Sequence, residues 1–305
     1  MARIARVKID EGGAYYHLCG KVAGVKGEYP LADKRCRRKI IDDIRFFAKV
    51  YCLEILGFCI MGNHYHLVVY MAPSREMPRK ALRARAELLY KDTVLDGWLE
   101  ANWKRFHARI FDVSELMRSL QSKIARWYNA THNRRGRFWA DRFKSVLLED
   151  EKAVFDCLLY IELNPVRAGI VDQPEDYEGS SLYYREIKDD KWMTPITQVT
   201  QRPKRAGAMR DYKACIYYRG SVPTKENQAV ISKRLLAQEE ARGFATPGLF
   251  SKRVRHITDG IVIGSETFVK EKLEQLRESG LYLRRKNPIP QFDGAHRCLR
   301  PQRGM

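Results

Sequence analysis

The chain has 305 residues, of which 45% are hydrophobic, so it can bury a core in one or two domains and is not predicted to be disordered. Lys and Arg total 56 against 37 Asp and Glu, which gives a formal net charge of +19. A positive excess of this size favours a polyphosphate partner, although it is also compatible with a generically basic protein. No apolar run approaches the roughly 18 residues of a membrane span, so we expect no membrane partner.

The seven cysteines are scattered and none forms a Cys-x-x-Cys pair, which argues against a zinc ribbon or a disulfide scaffold. The first residues also lack the apolar core of a secretory signal. We therefore expect reduced thiols and a cytoplasmic location.

The N-terminal part predicts a β-α-β-β order of elements, which suggests an antiparallel sheet covered on one face by helices. These elements are a strand at residues 14–22, a helix with Ile40, Ile41, Ile44 and Phe47 at helical spacing, a buried strand at 50–61 and, after the turn at Gly62 and Asn63, a strand at 64–70.

A basic stretch at residues 75–111 follows and looks like an insertion. Asp112 and Glu115 then have the spacing of a capping box, which opens a helix. The apolar stripe of that helix is Leu116, Leu120, Ile124, Trp127 and Tyr128. A strand at 143–148 comes next, followed by a helix at 151–163 that Asp150 caps and Pro165 stops.

The predicted boundary of the first domain is residue 185, and residues 186–305 are expected to form a mainly helical C-terminal extension. It begins with a polar linker at 185–230, rich in breakers. Helices are predicted at 229–242 and at 266–278, the second capped by Ser265. The basic tail at 284–303 is expected to be mobile.

His64 and His66 are the first candidate site residues. Residues two apart on a strand point to the same face, so both imidazoles project together while Tyr65 and Leu67 face the other way. Two imidazoles side by side can begin a divalent-metal site. The alternative is a histidine pair exposed on the sheet or hydrogen-bonded in the core.

The helix before Pro165 supplies the second group of candidates. Asp156, Tyr160 and Asn164 are spaced four apart and therefore lie along one polar edge. Asn164 offers a carbonyl oxygen to a cation, and Tyr160 offers a nucleophilic oxygen one turn away. The sequence therefore predicts that a metal ligand and a nucleophile enter one site from this helix.

Three sequence blocks resemble those of a known family in the family's order. The block MGNHYHLVV at residues 61–69 looks like the histidine-hydrophobe-histidine signature of the HUH single-tyrosine transposases. The blocks GRFWADRFKS at 136–145 and YIELNPVRAG at 160–169 resemble those of the REP-associated tyrosine transposases. The resemblance covers roughly residues 10–185, and the insertion at 75–111 and the long C-terminal region depart from the compact form of the family.

The resemblance implies an activity, a cofactor and a fold. His64 and His66, with Asn164 as the third ligand, would bind Mg²⁺ or Mn²⁺, and Tyr160 would attack a DNA phosphodiester. The substrate would be single-stranded DNA bearing a hairpin, cut and rejoined through a covalent phosphotyrosine, with the protein associated with the nucleoid when bound. The fold class would be α+β, with a small antiparallel sheet of ferredoxin-like or RRM-like kind and helices on one face.

Basic residues near the middle block and after Pro165 are the predicted DNA contacts. They are Arg134, Arg135, Arg137, Arg142, Lys144 and Arg167. Cations interleaved with Phe138, Trp139 and Phe143 suit a strand whose phosphates are neutralised while its bases stack on aromatic rings. In the alternative interpretation the aromatic rings belong to the core and the cations form a solvated face.

Several alternatives stay open from the sequence. Tyr128 is a rival nucleophile, but it falls on an apolar stripe, and His17 is expected to be structural. A non-cleaving DNA-binding protein or repressor derived from such a transposase would bind DNA without forming an adduct. A relaxase-type or replication-initiator nuclease would share the chemistry, and a water-using hydrolase would leave Tyr160 unexplained. A homodimer is also open, because Tyr160 could serve its own histidine pair or a partner subunit's.

Overall fold

The structure of the protein, a computed structural model, describes residues 12–24, 27–244, 260–280, 288–291 and 296–299. The strands are β1 (Ala14–Lys21), β2 (Leu53–Ile60), β3 (His64–Met71), β4 (Lys144–Leu148), β5 (Val262–Ser265), β6 (Ile289–Gln291) and β7 (His296–Leu299). The helices are α1 (Lys34–Val50), α2 (Arg79–Glu87), α3 (Asp92–Leu95), α4 (Glu100–Ile110), α5 (Val113–Thr131), α6 (Glu151–Glu162), α7 (Asn164–Arg167), α8 (Ser181–Glu186), α9 (Ile196–Val199), α10 (Arg205–Gly220), α11 (Lys233–Ala241) and α12 (Glu266–Glu278).

The described strands form one sheet in the order β2-β3-β1-β4-β5-β7-β6. Strand β4 pairs parallel with β5. Strands β1 to β4 pair with one another antiparallel, and α1 and α5 connect them in a β-α-β-β-α-β sequence. This is the ferredoxin-like arrangement. The predicted α+β class is therefore confirmed, as are the four opening elements.

Two apolar cores lie on opposite faces of the sheet. One contains the apolar residues of α1 and α5 together with Tyr65, Leu67 and Val69 of β3. The other contains Val68 of the same strand together with the apolar residues of α6, α8 and α10. The prediction of helices on one face holds for α1 and α5 but was incomplete, because both faces of β3 carry side chains that must be buried and a second layer of helices covers the other face.

The predicted helix starts are confirmed by their caps. The Asp112 carboxylate accepts from the backbone N–H of Ser114 at 2.6 Å, and that of Asp150 accepts from Ala153 at 2.8 Å. The Ser265 hydroxyl accepts from the backbone N–H of Phe268 at 3.2 Å. These side chains satisfy N–H groups that the first helical turn leaves without an intrahelical partner.

The inserted residues 75–111 fold into α2, α3 and α4 on the side of α1 and α5. Several of their cations are engaged within the protein. The Arg83 guanidinium lies 2.8 Å from Asp96, and Arg109 donates to the Tyr51 and Tyr90 hydroxyls at 3.2 and 2.7 Å. The insertion therefore packs away from the face that carries the histidines.

The C-terminal region is more integrated with the sheet than the sequence indicated. The predicted polar linker contains the 16-residue helix α10, whose buried residues include Tyr212, Tyr217 and Arg219. Alanines, tyrosines and an arginine give no clear apolar period, so the helix was not visible in the pattern. The division at residue 185 stays a prediction.

The predicted mobile basic tail is only partly described. Its residues 289–291 and 296–299 form β6 and β7, which pair with each other, and β7 pairs with β5. Those segments are therefore ordered strands, which corrects the prediction for them, because their backbone groups are satisfied by the sheet ladder. The rest of the tail at 284–287, 292–295 and 300–303 lies outside the described residues. In the described part of the chain, no helix has both the length and the apolarity to cross a membrane.

A buried ion pair between Arg219 and Asp156 connects α10 to α6. The guanidinium of Arg219 lies 2.6 Å from the carboxylate of Asp156, and both residues are buried. Asp156 stands one turn before Tyr160 on α6. The ion pair therefore ties the C-terminal region to the helix that carries the predicted nucleophile.

We expect Arg219→Met to lower the free energy of unfolding by roughly 3–5 kcal/mol, because it leaves a buried carboxylate without its partner. The double variant Arg219→Met with Asp156→Leu should recover most of that loss, since an apolar pair of similar volume suits a buried site. Urea denaturation measures both changes.

The control is Lys34→Met, which breaks the exposed ion pair with Glu178 and should change the free energy of unfolding by less than about 1 kcal/mol. If Arg219→Met were as mild as this control, the buried pair would not hold α10 to α6.

Candidate functional site

The antiparallel register of β1 and β3 brings polar side chains together on the α6 face of the sheet. Lys21 is directly opposite His64, and Cys19 is opposite His66. Their strand neighbours Tyr65 and Leu67 belong to the core on the other face, as predicted. The two histidines therefore project toward α6.

The imidazoles of His64 and His66 lie side by side, with ring centroids 5.0 Å apart and planes nearly perpendicular. His64 Nδ1 is 2.8 Å from the side-chain oxygen of Asn63. Because that oxygen only accepts, Nδ1 carries the proton and Nε2 keeps its lone pair. Burial, with Lys21 nearby, lowers the pKa of His64 to about 4, so the ring is neutral at neutral pH.

His66 is almost completely buried, with 1% of its surface exposed. Its Nδ1 lies 3.0 Å from Nε2 of His17 on β1, and the two rings are stacked. Its Nε2 is buried and has no hydrogen-bond partner. Burial, with His17 and His64 nearby, holds the pKa of His66 well below its usual range. A neutral imidazole with an open nitrogen is suited to bind a metal ion.

Tyr160 faces His66 from α6. The ring centroids are 5.9 Å apart and the planes are nearly perpendicular. The helix approaches β2 closely at Gly57, where a Cβ atom would lie only 2.5 Å from Leu158. A single chain thus brings Tyr160 to its own histidine. The rival Tyr128 packs against Phe138 on the opposite side of the sheet, as its apolar stripe indicated.

Asn164 begins α7, one turn after Tyr160. Its side-chain nitrogen is buried and has no hydrogen-bond partner. A half-turn of the amide exchanges nitrogen and oxygen, so this end of Asn164 is able to present an oxygen to a cation.

The predicted Mg²⁺ or Mn²⁺ fits two features of the site, namely the unpartnered nitrogen of His66 and the unpartnered amide end of Asn164. Within the described ranges, no group of three or more His, Cys, Asp or Glu side chains is arranged to hold a metal ion. The candidate ligand set is therefore two imidazoles and one amide, whose oxygen is the kind of donor that Mg²⁺ and Mn²⁺ favour.

Arg167 lies near both Tyr160 and Arg219. Burial and the nearby Arg219 lower the pKa of Arg167 to about 10, while the nearby Tyr160 acts in the opposite direction. Arg167 is half-buried and stays protonated at neutral pH. A phosphate that reached Tyr160 would therefore meet a guanidinium that is already partly desolvated, which strengthens a charge-assisted hydrogen bond.

The other predicted DNA contacts lie on the loop before β4 and at its first residue. Arg135, Arg137, Arg142 and Lys144 are exposed and Arg134 is half-buried. The loop is attached to the end of β1, since the backbone N–H of Ala140 donates to the carbonyl of Lys21 at 2.9 Å.

The aromatic residues of that loop do not face solvent. Phe138, Trp139 and Phe143 are all buried, with at most 8% of their surface exposed, and belong to the core with α1 and α5. The structure thus favours the interpretation in which these rings belong to the core and the cations form a solvated face. Base stacking on these three rings, the first interpretation, was wrong because the rings are needed to close the core beneath the loop.

Three residues at the site were missed by sequence reasoning. His17 contacts His66, Lys21 is opposite His64, and Arg219 pairs with Asp156. The alternation of Tyr15, His17 and Cys19 on β1 was a usable signal for His17, given the register with β3. Nothing in the local pattern around Arg219 identified its partner.

No family model matches the chain, and no curated protein matches it. One solved structure that does match is that of a REP-associated tyrosine transposase bound to a REP hairpin. It is 16% identical to the chain with a TM-score of 0.41, and the match covers 62% of this chain and 87% of that one. A likeness at this level does not assign the chain to a family.

Proposed function

We propose that this chain is a metal-dependent DNA transposase or endonuclease that cuts and rejoins hairpin-bearing single-stranded DNA through Tyr160. The observation that carries the proposal is the meeting of Tyr160 with the buried, open imidazole of His66 in one chain, at a ring separation of 5.9 Å. The three sequence blocks and the charge of +19 support the same activity and a nucleic-acid substrate.

His64, His66 and Asn164 are the proposed ligands of Mg²⁺ or Mn²⁺. When bound, the cation would offset the negative charge that builds on the non-bridging oxygens of a phosphodiester under attack. The protein residues fix where this happens. His64 is oriented by Asn63 and His66 by its place between β1 and α6, so neither ring has to reorganise before the reaction.

Tyr160 is the proposed nucleophile. Its phenolic oxygen gives up its proton to water and forms a bond to phosphorus while the bond from phosphorus to one strand oxygen breaks. That oxygen takes up a proton from water and leaves as the hydroxyl of the departing strand. The product is a phosphotyrosine ester of about the same bond energy, which a later strand hydroxyl is able to attack to restore a phosphodiester. Arg167, next to Tyr160, would hold the phosphate in line.

The basic loop gives the proposed path of the DNA. Arg135, Arg137 and Arg142 are exposed on a loop that is bonded to the end of β1, and Lys144 is paired in register with Cys19 on the histidine-bearing face. Lys21 stands beside His64 on the same face. A strand that follows these cations would be led to the histidines by its phosphates, with its bases read elsewhere or not at all.

A non-cleaving DNA-binding protein is the second candidate, and it shares the basic loop. The buried nitrogen of His66 argues against this alternative. Leaving it without a hydrogen-bond partner costs about 1–3 kcal/mol of folding stability, and a protein that only binds DNA gains nothing in return. A cytoplasmic, nucleoid-associated location and a homodimer stay predictions.

Incubation with a library of single-stranded hairpin DNA and Mn²⁺ should give a protein–DNA adduct that survives denaturation. We expect Tyr160→Phe to abolish the adduct, because only the nucleophilic oxygen is removed. Gel electrophoresis under denaturing conditions measures the adduct, and DNA binding by Tyr160→Phe should stay close to that of the unsubstituted protein.

The matched control is Tyr128→Phe, which removes a hydroxyl on the opposite side of the sheet and should leave the adduct intact. Loss of the adduct in Tyr128→Phe but not in Tyr160→Phe would show that the nucleophile is Tyr128 on α5 and not Tyr160. DNA binding with no adduct in any protein, across the library, would favour the non-cleaving alternative.

The basic loop predicts a salt dependence of DNA binding. Each of Arg135→Ala, Arg137→Ala and Arg142→Ala should reduce the slope of log affinity against log salt concentration by about 0.7, the value for one phosphate contact of a single strand. Fluorescence anisotropy of a labelled hairpin with a single-stranded flank measures the slope. Lys104→Ala on α4 is the control, and an equal reduction in this variant would refute the loop as the specific DNA surface.

A further inference from the structure

His17 is a buried polar residue that the proposed reaction does not yet use. It lies on β1 with 1% of its surface exposed, and its Nε2 is 3.0 Å from Nδ1 of His66. The rings are stacked, with centroids 5.1 Å apart and an angle of 29° between planes. A buried contact this short between two imidazoles requires that one nitrogen donates a proton and the other accepts it.

The two ways of placing that proton are not equivalent. If His17 donates, the proton of neutral His66 is on Nε2, where it blocks a cation and the buried N–H is left with no acceptor. If His66 donates from Nδ1, its Nε2 carries only a lone pair. Both forms leave Nε2 without a hydrogen-bond partner in the protein, but only the lone pair is able to bind a cation at the proposed site.

We propose that His17 is a positioning residue that accepts the Nδ1 proton of His66 and so holds the His66 ring with its Nε2 lone pair directed into the site. This inference rests on the proposed function for the identity of the ligand, Mg²⁺ or Mn²⁺. His17 acts on His66 as Asn63 acts on His64, where the Asn63 oxygen accepts the Nδ1 proton at 2.8 Å. Both imidazoles then present Nε2, each fixed by one acceptor from the protein.

The pairing of β1 with β3 places the acceptor beside His66. His17 and His66 belong to neighbouring strands whose register is fixed over eight residue pairs, so the acceptor is delivered by the sheet itself. Partners of this outer kind set the tautomer and orientation of a metal-binding histidine, and their loss commonly costs 10–100-fold in metal affinity.

The first test is independent of metal and of DNA. Nitrogen-15 NMR of the histidine side chains in the full-length, metal-free protein distinguishes a protonated from an unprotonated ring nitrogen. We expect His66 to be protonated at Nδ1 and His17 to be unprotonated at Nε2. A His66 protonated at Nε2 would overturn the proposal, whatever the protein does to DNA.

The second test is substitution at His17. We expect His17→Leu to weaken Mn²⁺ binding by about 10–100-fold, measured by the electron paramagnetic resonance signal of free Mn²⁺. His17→Gln should restore most of the affinity, because its side-chain oxygen reaches the place of the lost Nε2 and accepts the same proton. Unfolding midpoints of both variants separate a loss of orientation from a loss of folding.

His132→Leu is the matched control for general loss of a histidine, since His132 is exposed on the opposite side of the sheet and stacks on Tyr128. It should leave Mn²⁺ affinity unchanged. Equal Mn²⁺ affinities of the unsubstituted protein and a folded His17→Leu would refute the positioning role while leaving the Tyr160 adduct, and thus the proposed function, untouched. Failure of the adduct with the expected tautomer present would refute the function alone.

Discussion

The burial of β3 on both of its faces is the constraint on which the rest of the structure depends. Successive side chains of this strand alternate between two cores, one under α1 and α5 and one under α6 and α10. Tyr65, Leu67 and Val69 occupy the first, so His64 and His66 must enter the second. A shift of the register by one residue would place both imidazoles in the α1 and α5 core, and the candidate site would be lost.

The second core determines how Tyr160 reaches the histidines. Helix α6 lies against β2 at Gly57, where there is no room for a side chain. On its outer side α10 contributes Arg219, which neutralises Asp156 one turn before Tyr160. The helix that carries the proposed nucleophile is thus held between the sheet and an element from the C-terminal region. This arrangement gives that region a structural part in the site, and it does so without supplying a proposed ligand.

Local patterns predicted most of this geometry, and long-range partners account for what was missed. The alternation of side chains along β3 predicted that His64 and His66 share a face of the sheet. The four-residue spacing along α6 predicted that Tyr160 and Asn164 share an edge of the helix. The contact of His17 with His66 depends on pairing between strands 49 residues apart, which no local window contains. The buried state of Trp139 and Phe143 likewise depends on a core built by α1 and α5. Helix α10 was not predicted because its buried residues include alanines, tyrosines and Arg219, which give no clear apolar period.

The charge of the site connects metal binding to DNA binding. The proposed ligands, two neutral imidazoles and an amide, bring no negative charge, and the carboxylate of Asp156 is already paired with Arg219. Lys21 and Arg167 add positive charge around them. A divalent cation would bind more weakly among such neighbours than it would after an anion has joined it, and the oxygens of a DNA phosphate are suitable ligands for it. In the proposed reaction the substrate would therefore complete the metal site, which ties assembly of the reactive centre to the presence of the strand to be cut.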